Sequence, residues 1–339
     1  MTTTYQDQIL YERKRQHLMV FSQCFSPCGN HLVTANNYGT VSVFNLTAAL
    51  SPNANESHWK PSFTFQVCSG PIYSIVSTEL FLICAGTGDI KAYKWTDILK
   101  KSCKIAWTLS VPTCKNQFSD PEVNSIVYNT KDNVLYSGCG DKNNYSWDLE
   151  SGTLKDTFSG HSDYIHCVAL FNNSNQFVSS SEDGSVRIWD CRGGREAQHV
   201  MEPYKHEECC RPQIGRWVSC VSVDPGDDWL VCGGGVALST WHLRSLSTTC
   251  IYNIGNSSPQ CLQFHDDLIY CGGTQPKVSH LTMNGEVKTQ VPCTPNSVFS
   301  LAINTVSENN KVLSVSGSSS QVDIFTNFGY RAFSLQAVP

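Results

Sequence analysis

The chain has 339 residues, with 24 Lys and Arg against 29 Asp and Glu, a net charge of −5. A hydrophobic share of 40% excludes disorder as the main state, and a charged share of only 16% beside 23 Gly favours strands and turns over helices. The mild acidity offers no bulk attraction to nucleic acid, and no apolar run approaches the roughly 18 residues of a membrane helix.

Residues 1–17 read as an arm or short helix, in which Ile9 and Leu10 stand amid Glu12, Arg13, Lys14 and Arg15. The opening MTTTYQDQIL lacks the apolar core of a secretory signal, so the 17 cysteines, an odd number, are expected as reduced thiols in cytosol or nucleus. Cys167, Cys220, Cys232 and Cys271 lie in apolar stretches, where cysteine acts as a small hydrophobe.

From residue 18 onward one unit recurs seven times. An apolar strand is followed by a second strand that stops at turn residues, then by a third with a large residue at its fourth position, then by a variable fourth. The third-strand anchors are Phe44, Tyr93, Trp147, Trp189, Trp241, Leu281 and Phe325, at intervals of 49, 54, 42, 52, 40 and 44. The period is close to the roughly 40–45 residues of a four-stranded propeller blade. The predicted fold is therefore an all-β, seven-bladed propeller over 18–339, with blades near 18–67, 71–110, 123–158, 164–201, 217–255, 258–293 and 298–336. The final RAFSLQ completes a fourth strand, so ring closure by an exchanged N-terminal strand is not evident.

In the fourth unit Gly160-His161 precedes the first strand and Trp189-Asp190 ends the third. This GH…WD pattern resembles that of WD-repeat propellers. The resemblance implies a structural, hydrogen-bonded set of His161, Ser179, Asp183 and Trp189, and a buried imidazole and indole N–H do require partners.

Three stretches lengthen the repeat. Residues 51–61 read as a polar, mobile loop, and 111–121 are also loop-like. Residues 201–217, MEPYKHEECCRPQIGRW, concentrate Tyr204, Lys205, His206, Glu207, Glu208, Arg211, Arg216 and Trp217. Aromatic and Arg residues anchor protein interfaces, so this segment is the candidate partner-binding site; packing on its own propeller is the equally weighted reading.

Enzymatic motifs are lacking. There is no GxSxG elbow, no Walker loop and no CxxC pair. Gly233-Gly234-Gly235 lies between two strands and reads as a turn. His206-Glu207-Glu208-Cys209-Cys210 resembles a zincin motif with its second His replaced, but the flanking Pro203 and Pro212 oppose the helix that such a site needs. No catalytic residue, metal or other cofactor is expected. The basic runs Arg13-Lys14-Arg15 and Lys100-Lys101 with Lys104 read as solvated surface.

Several stretches carry a closer likeness: FSQCFSPCGNHLVTANNYG, GHSDYIHCVAL, YKHEEC…GRW, WLVCGGGVALSTWHLRS and VDIFTNFGYRAFSL. They resemble the THO complex subunit 6 family over roughly residues 15–336. The resemblance implies a non-catalytic subunit of the THO part of the TREX complex, in the nucleus and its speckles, coupling transcription and mRNA processing to mRNA export. It implies contact with the coiled-coil THO subunits five and seven, only indirect or weak RNA contact, and no membrane or small-molecule substrate. The alternative rests on the WDxR sequence ending at Arg192 and its partial copy ending at Arg244. That sequence resembles the feature by which some WD propellers dock, as substrate receptors, on the adaptor of cullin–RING ubiquitin ligases.

Overall fold

The computed structural model describes residues 5–112, 122–192 and 194–339; the expected loop at 111–121 lies almost wholly outside them. The chain forms seven antiparallel four-stranded sheets, each built from four consecutive strands a–d, and is a seven-bladed β-propeller. Its first and last sheets share no strand.

The anchors explain why each repeat folds as a blade. Every one lies on strand c directly opposite an apolar residue of strand b: Phe44 faces Leu32, Tyr93 Leu82, Trp147 Leu135, Trp189 Phe177, Trp241 Leu230, Leu281 Ile269 and Phe325 Leu313. All fourteen are buried. Leu281, without an aromatic ring, is still wholly buried, so its blade keeps the pattern with a smaller plug. In each blade strand a carries a bulge one residue in, at Phe21, Tyr73, Asn124, His166, Ser219, Gln260 and Phe299. A bulge re-aims the side chain of the extra residue.

By packing, the chain divides into two compact units. The first takes in the chain up to Gly86, Lys91–Thr108 and Pro292–Pro339, and so carries blades one, two and seven. Blade one comprises Val20–Phe25, His31–Asn36, Thr40–Asn45 and Phe63–Gln66; blade seven comprises Val298–Asn304, Val312–Gly317, Gln321–Thr326 and Tyr330–Gln336. Blades one and seven share one apolar core that includes Leu18, Val20, Leu32, Phe44, Val322 and Leu335. Polar bonds cross the same junction. The Gln23 amide donates to the Ser300 and Ser314 carbonyls at 3.0 and 2.9 Å, and Asn304 donates to the Gly29 carbonyl at 2.8 Å. Asn36 in turn donates to the Val338 carbonyl at 3.0 Å.

Residues 51–61 depart from the mobile loop that their polarity predicts. Asn55 caps a short 3-10 turn at Glu56–Trp59, and the Trp59 ring stacks on Phe333 of blade seven at 5.7 Å. A single large aromatic supplies the buried surface that orders an otherwise polar stretch. Ahead of the first blade, Tyr5–Gln16 is a helix with no buried residue. Asp7 in its first turn and Arg13, Lys14 and Arg15 in its last complement the helix dipole, and Lys14 lies 5.5 Å over the Tyr38 ring.

The second unit, Thr87–Ile90 and Leu109–Val291, carries blades three to six. Blade three runs over Val123–Asn129, Val134–Cys139, Asn143–Asp148 and Thr153–Ser159, and blade four over Ile165–Leu170, Gln176–Ser181, Val186–Asp190 and His199–Met201. Blade five is Val218–Val223, Trp229–Gly234, Ser239–His242 and Ser247–Ile251; blade six is Pro259–His265, Leu268–Gly273, Lys277–Thr282 and Val287–Pro292. The described cysteines are all free thiols. Cys220, Cys232 and Cys271 are packed into the core, and burial raises Cys232 and Cys271 to about 12, which leaves them inert.

Candidate functional site

Blade four holds a buried polar chain with one consistent proton order. Trp189 Nε1–H donates to Ser179 Oγ at 2.8 Å, and Ser179 Oγ lies 2.8 Å from His161 Nε2. His161 Nδ1 lies 2.9 Å from Asp183 Oδ2. Burial lowers the His161 pKa, outweighing the pull of the Asp183 carboxylate, so the ring is neutral. A neutral ring donates from Nδ1 to Asp183 and accepts the Ser179 proton at Nε2. Desolvation pushes Asp183 upward, but hydrogen bonds from His161, Ser185 and the Ser162 amide outweigh it and hold the carboxyl well below the usual range.

Two members were not legible in the repeat. Asn144, on strand c of blade three, donates to Ser179 Oγ at 3.3 Å, and Ser185 Oγ donates to Asp183 Oδ1 at 2.6 Å. The place of Ser185 in the turn after Asp183 is a local signal for it; nothing local marks Asn144, because it arrives from another blade. With them, every polar atom of Ser179 is engaged. The set ties turns to strands within blade four and joins blade three to it through Asn144.

The second candidate, Tyr204 to Trp217, is a strap at the end of the blades where strand d returns to strand a. It is built from two 3-10 turns, Pro203–Lys205 and Glu207–Cys209. Its inner side is fixed. Cys209 is wholly buried and its carbonyl accepts from the Ala237 amide at 2.9 Å. Arg211 Nη1 donates to the Ser257 carbonyl at 3.0 Å, and the His206 ring meets Trp241 edge-on at 4.9 Å. Arg216 lies 5.7 Å from the Tyr204 ring. Trp217 covers Gly235, where a Cβ would meet the indole at 2.8 Å, so only glycine admits the ring. The outer side presents Lys205, Glu207, Glu208, Cys210 and Arg216 to solvent. The eight candidate residues are thus brought together, but Arg211 and Trp217 face the propeller. Among the described residues no His, Cys, Asp and Glu group is arranged to hold a metal ion.

Comparison with known proteins gives this geometry a family. The WD domain, G-beta repeat pattern matches residues 152–190, which contain His161, Ser179, Asp183 and Trp189. THO complex subunit 6 homolog of Danio rerio is 46% identical over 319 residues, covering 94% of this chain and 97% of that protein. THO complex subunit 6 of Homo sapiens is 44% identical over 332 residues, covering 97% and 96%. The chain belongs to the THO complex subunit 6 family. The family extends to Arabidopsis thaliana at 27% identity over 96% of this chain. A shorter likeness, 26% over 127 residues, links it to pre-mRNA-processing factor 17 of Homo sapiens.

Within this family member the two WDxR positions differ. Arg192 folds back on Asp190 with two contacts, Nε to Oδ1 at 3.1 Å and Nη2 to Oδ2 at 2.9 Å, while remaining 72% exposed. Arg244 is exposed at the strand c–d turn of blade five.

Proposed function

We propose that the protein is a non-catalytic scaffold of the THO part of the TREX complex in the nucleus and its speckles. There it couples transcription and mRNA processing to mRNA export through protein contacts. The observation that carries this reading is the full-length identity of 44–46% to proteins named THO complex subunit 6. Internal pairing of the blade-four polar set supports a structural role for those groups. The partners are other THO subunits, especially the coiled-coil subunits five and seven, and the outer side of the strap is their contact. Its mixed charges, Lys205, Glu207, Glu208 and Arg216, suit a coiled coil that presents both signs.

Affinity capture of the tagged full chain from nuclear extract, read by mass spectrometry, tests this reading. THO subunits are expected in the wild-type eluate, and reduced in a variant combining Lys205→Glu and Arg216→Glu that melts normally. Undiminished capture by that variant removes the strap as the contact. Capture of a cullin–RING adaptor without THO subunits, lost on Arg192→Ala or Arg244→Ala, favours the ligase reading instead. With a net charge of −5, purified protein is expected to bind RNA weakly and with steep salt dependence. Tight, sequence-selective binding at physiological salt overturns the indirect role.

A further inference from the structure

Blades five and six enclose a cleft of about 460 Å³, lined among others by Asp224, Trp229, Phe264, Asp266, Asp267 and Met283. It lies at the strand a–b and c–d turns, the opposite end of the blades from the strap. Its walls are fixed. The Trp229 amide donates to Asp224 Oδ1 at 2.7 Å, and Trp229 packs against His242 with ring centroids 4.9 Å apart. Across the two blades, Cys250 Sγ donates to the Met283 carbonyl at 3.2 Å and Tyr252 Oη to the Thr282 carbonyl at 3.0 Å. Asp224 is held within its own turn, but Asp266 and Asp267 stand exposed on the next turn. The His265 ring lies 3.5 Å from Asp266, and among the described residues none lining the cleft is basic.

We infer that this cleft is a docking site for an arginine or lysine side chain within a segment of a partner protein. The lining pairs two aromatic rings and a thioether, which accept an alkyl stem and the face of a cation, with carboxylates at the rim. An aromatic face and a carboxylate both attract a cation, and neither attracts an anion. Walls already tied together by inter-blade bonds lower the ordering cost of binding. Charge complementarity also decides the occupant: an acidic segment would meet three carboxylates and, among the described residues that line the cleft, no basic side chain. The inference is independent of the THO reading and of the strap.

Fluorescence anisotropy of a labelled peptide of alternating arginine and glycine, titrated with the full chain at low and physiological salt, tests it. Wild type should bind, and Asp266→Asn with Asp267→Asn should bind about tenfold or more weakly. Asparagine preserves the turn, because it tolerates the left-handed backbone that Asp266 adopts at φ 49°. Glu150→Gln with Glu196→Gln, exposed on blades three and four away from the cleft and the strap, should leave affinity unchanged, and the thermal midpoint of each variant should not move. Should the first pair lower the melting point, the indole N–H resonance of Trp229 in wild type, assigned with Trp229→Phe, decides: it must move with the peptide. A stationary Trp229 signal, equal losses in both double variants, equal binding of the glutamate–glycine peptide, or displacement of the peptide by calcium ion alone each overturns the inference.

Discussion

The Ser179 hydroxyl has one proton and two lone pairs, and His161, Trp189 and Asn144 use all three. Removing it therefore leaves a buried indole N–H and a buried imidazole nitrogen unpaired together. Ser179→Ala should destabilise by about 1–3 kcal/mol, and Trp189→Ala by about 3–5 kcal/mol through the cavity it leaves. In a double-mutant cycle by urea denaturation the two costs should fall short of additive, since the second change removes a group the first has already orphaned. Three histidines, one of them in this network, set a pH dependence. His161, His31 and His280 are held below their usual 6.5 by burial, so the unfolded chain takes up protons there that the folded chain does not. Stability is full above about 6.5 and declines as pH falls below it. Asp183, depressed from 3.8, adds a second decline beginning near that value and deepening at lower pH. Urea midpoints followed down in pH should show both stages, and His161→Gln should shrink the first, leaving the His31 and His280 share, while lowering stability throughout. The glycine–histidine and tryptophan–aspartate pairs made this site readable, because buried rings with polar atoms demand partners at fixed spacing. Asn144 was invisible for the opposite reason: its partner is 35 residues away on another sheet, and neither periodicity nor turn chemistry records such a meeting.

At the scale of an element, the strap from Tyr204 to Trp217 divides between two duties that composition could not separate. Arginine and aromatic groups mark an interface or a brace equally well. The deciding facts are three-dimensional: the burial of Cys209, the bond from Arg211 to the Ser257 carbonyl, and the indole over Gly235. Arg211→Glu should lower stability by about 1–2 kcal/mol, because it removes a charged donor from a carbonyl and brings a carboxylate toward the same oxygen. Arg216→Glu should change stability by less than about 1 kcal/mol, since its contact with Tyr204 is exposed. Equal thermal midpoints for both variants would show that Arg211 does not brace the strap. The blade elements themselves were legible because each large anchor on strand c faces an apolar residue on strand b, a pairing that a two-residue period and a recurring aromatic both announce. The ordering of residues 51–61 was not, since one ring, Trp59, does the packing within a run of polar residues.

For the molecule as a whole, the last strand has effects well beyond its own sheet. Strand Tyr330–Gln336 covers Val322 and Ile324, and Ser334 and Arg331 accompany the wholly buried Asp323. Deleting residues 330–339 should expose that core and strip partners from a buried carboxylate. Because Gln23, Asn36 and the shared apolar cluster bind the ends of the chain together, blade one should loosen with blade seven. Hydrogen exchange of the truncated chain should show lost protection over Val20–Phe25 as well as Gln321–Thr326. Retained protection over Val20–Phe25 would mean that the first sheet stands without the last.

The bond from Gln23 to Ser314 joins residues 291 positions apart, and this separation has a temporal meaning. A ribosome adds about 5–20 residues per second, so the first blade waits roughly 15–60 s for its neighbour to be made. Throughout that interval Leu18, Val20 and Phe44 lack the Val322 and Leu335 surfaces that finally cover them. Until residues 322–335 emerge, the nascent first blade exposes apolar surface of the kind that favours aggregation. A stop placed ahead of residue 322 would leave Leu18, Val20 and Phe44 without those surfaces for good.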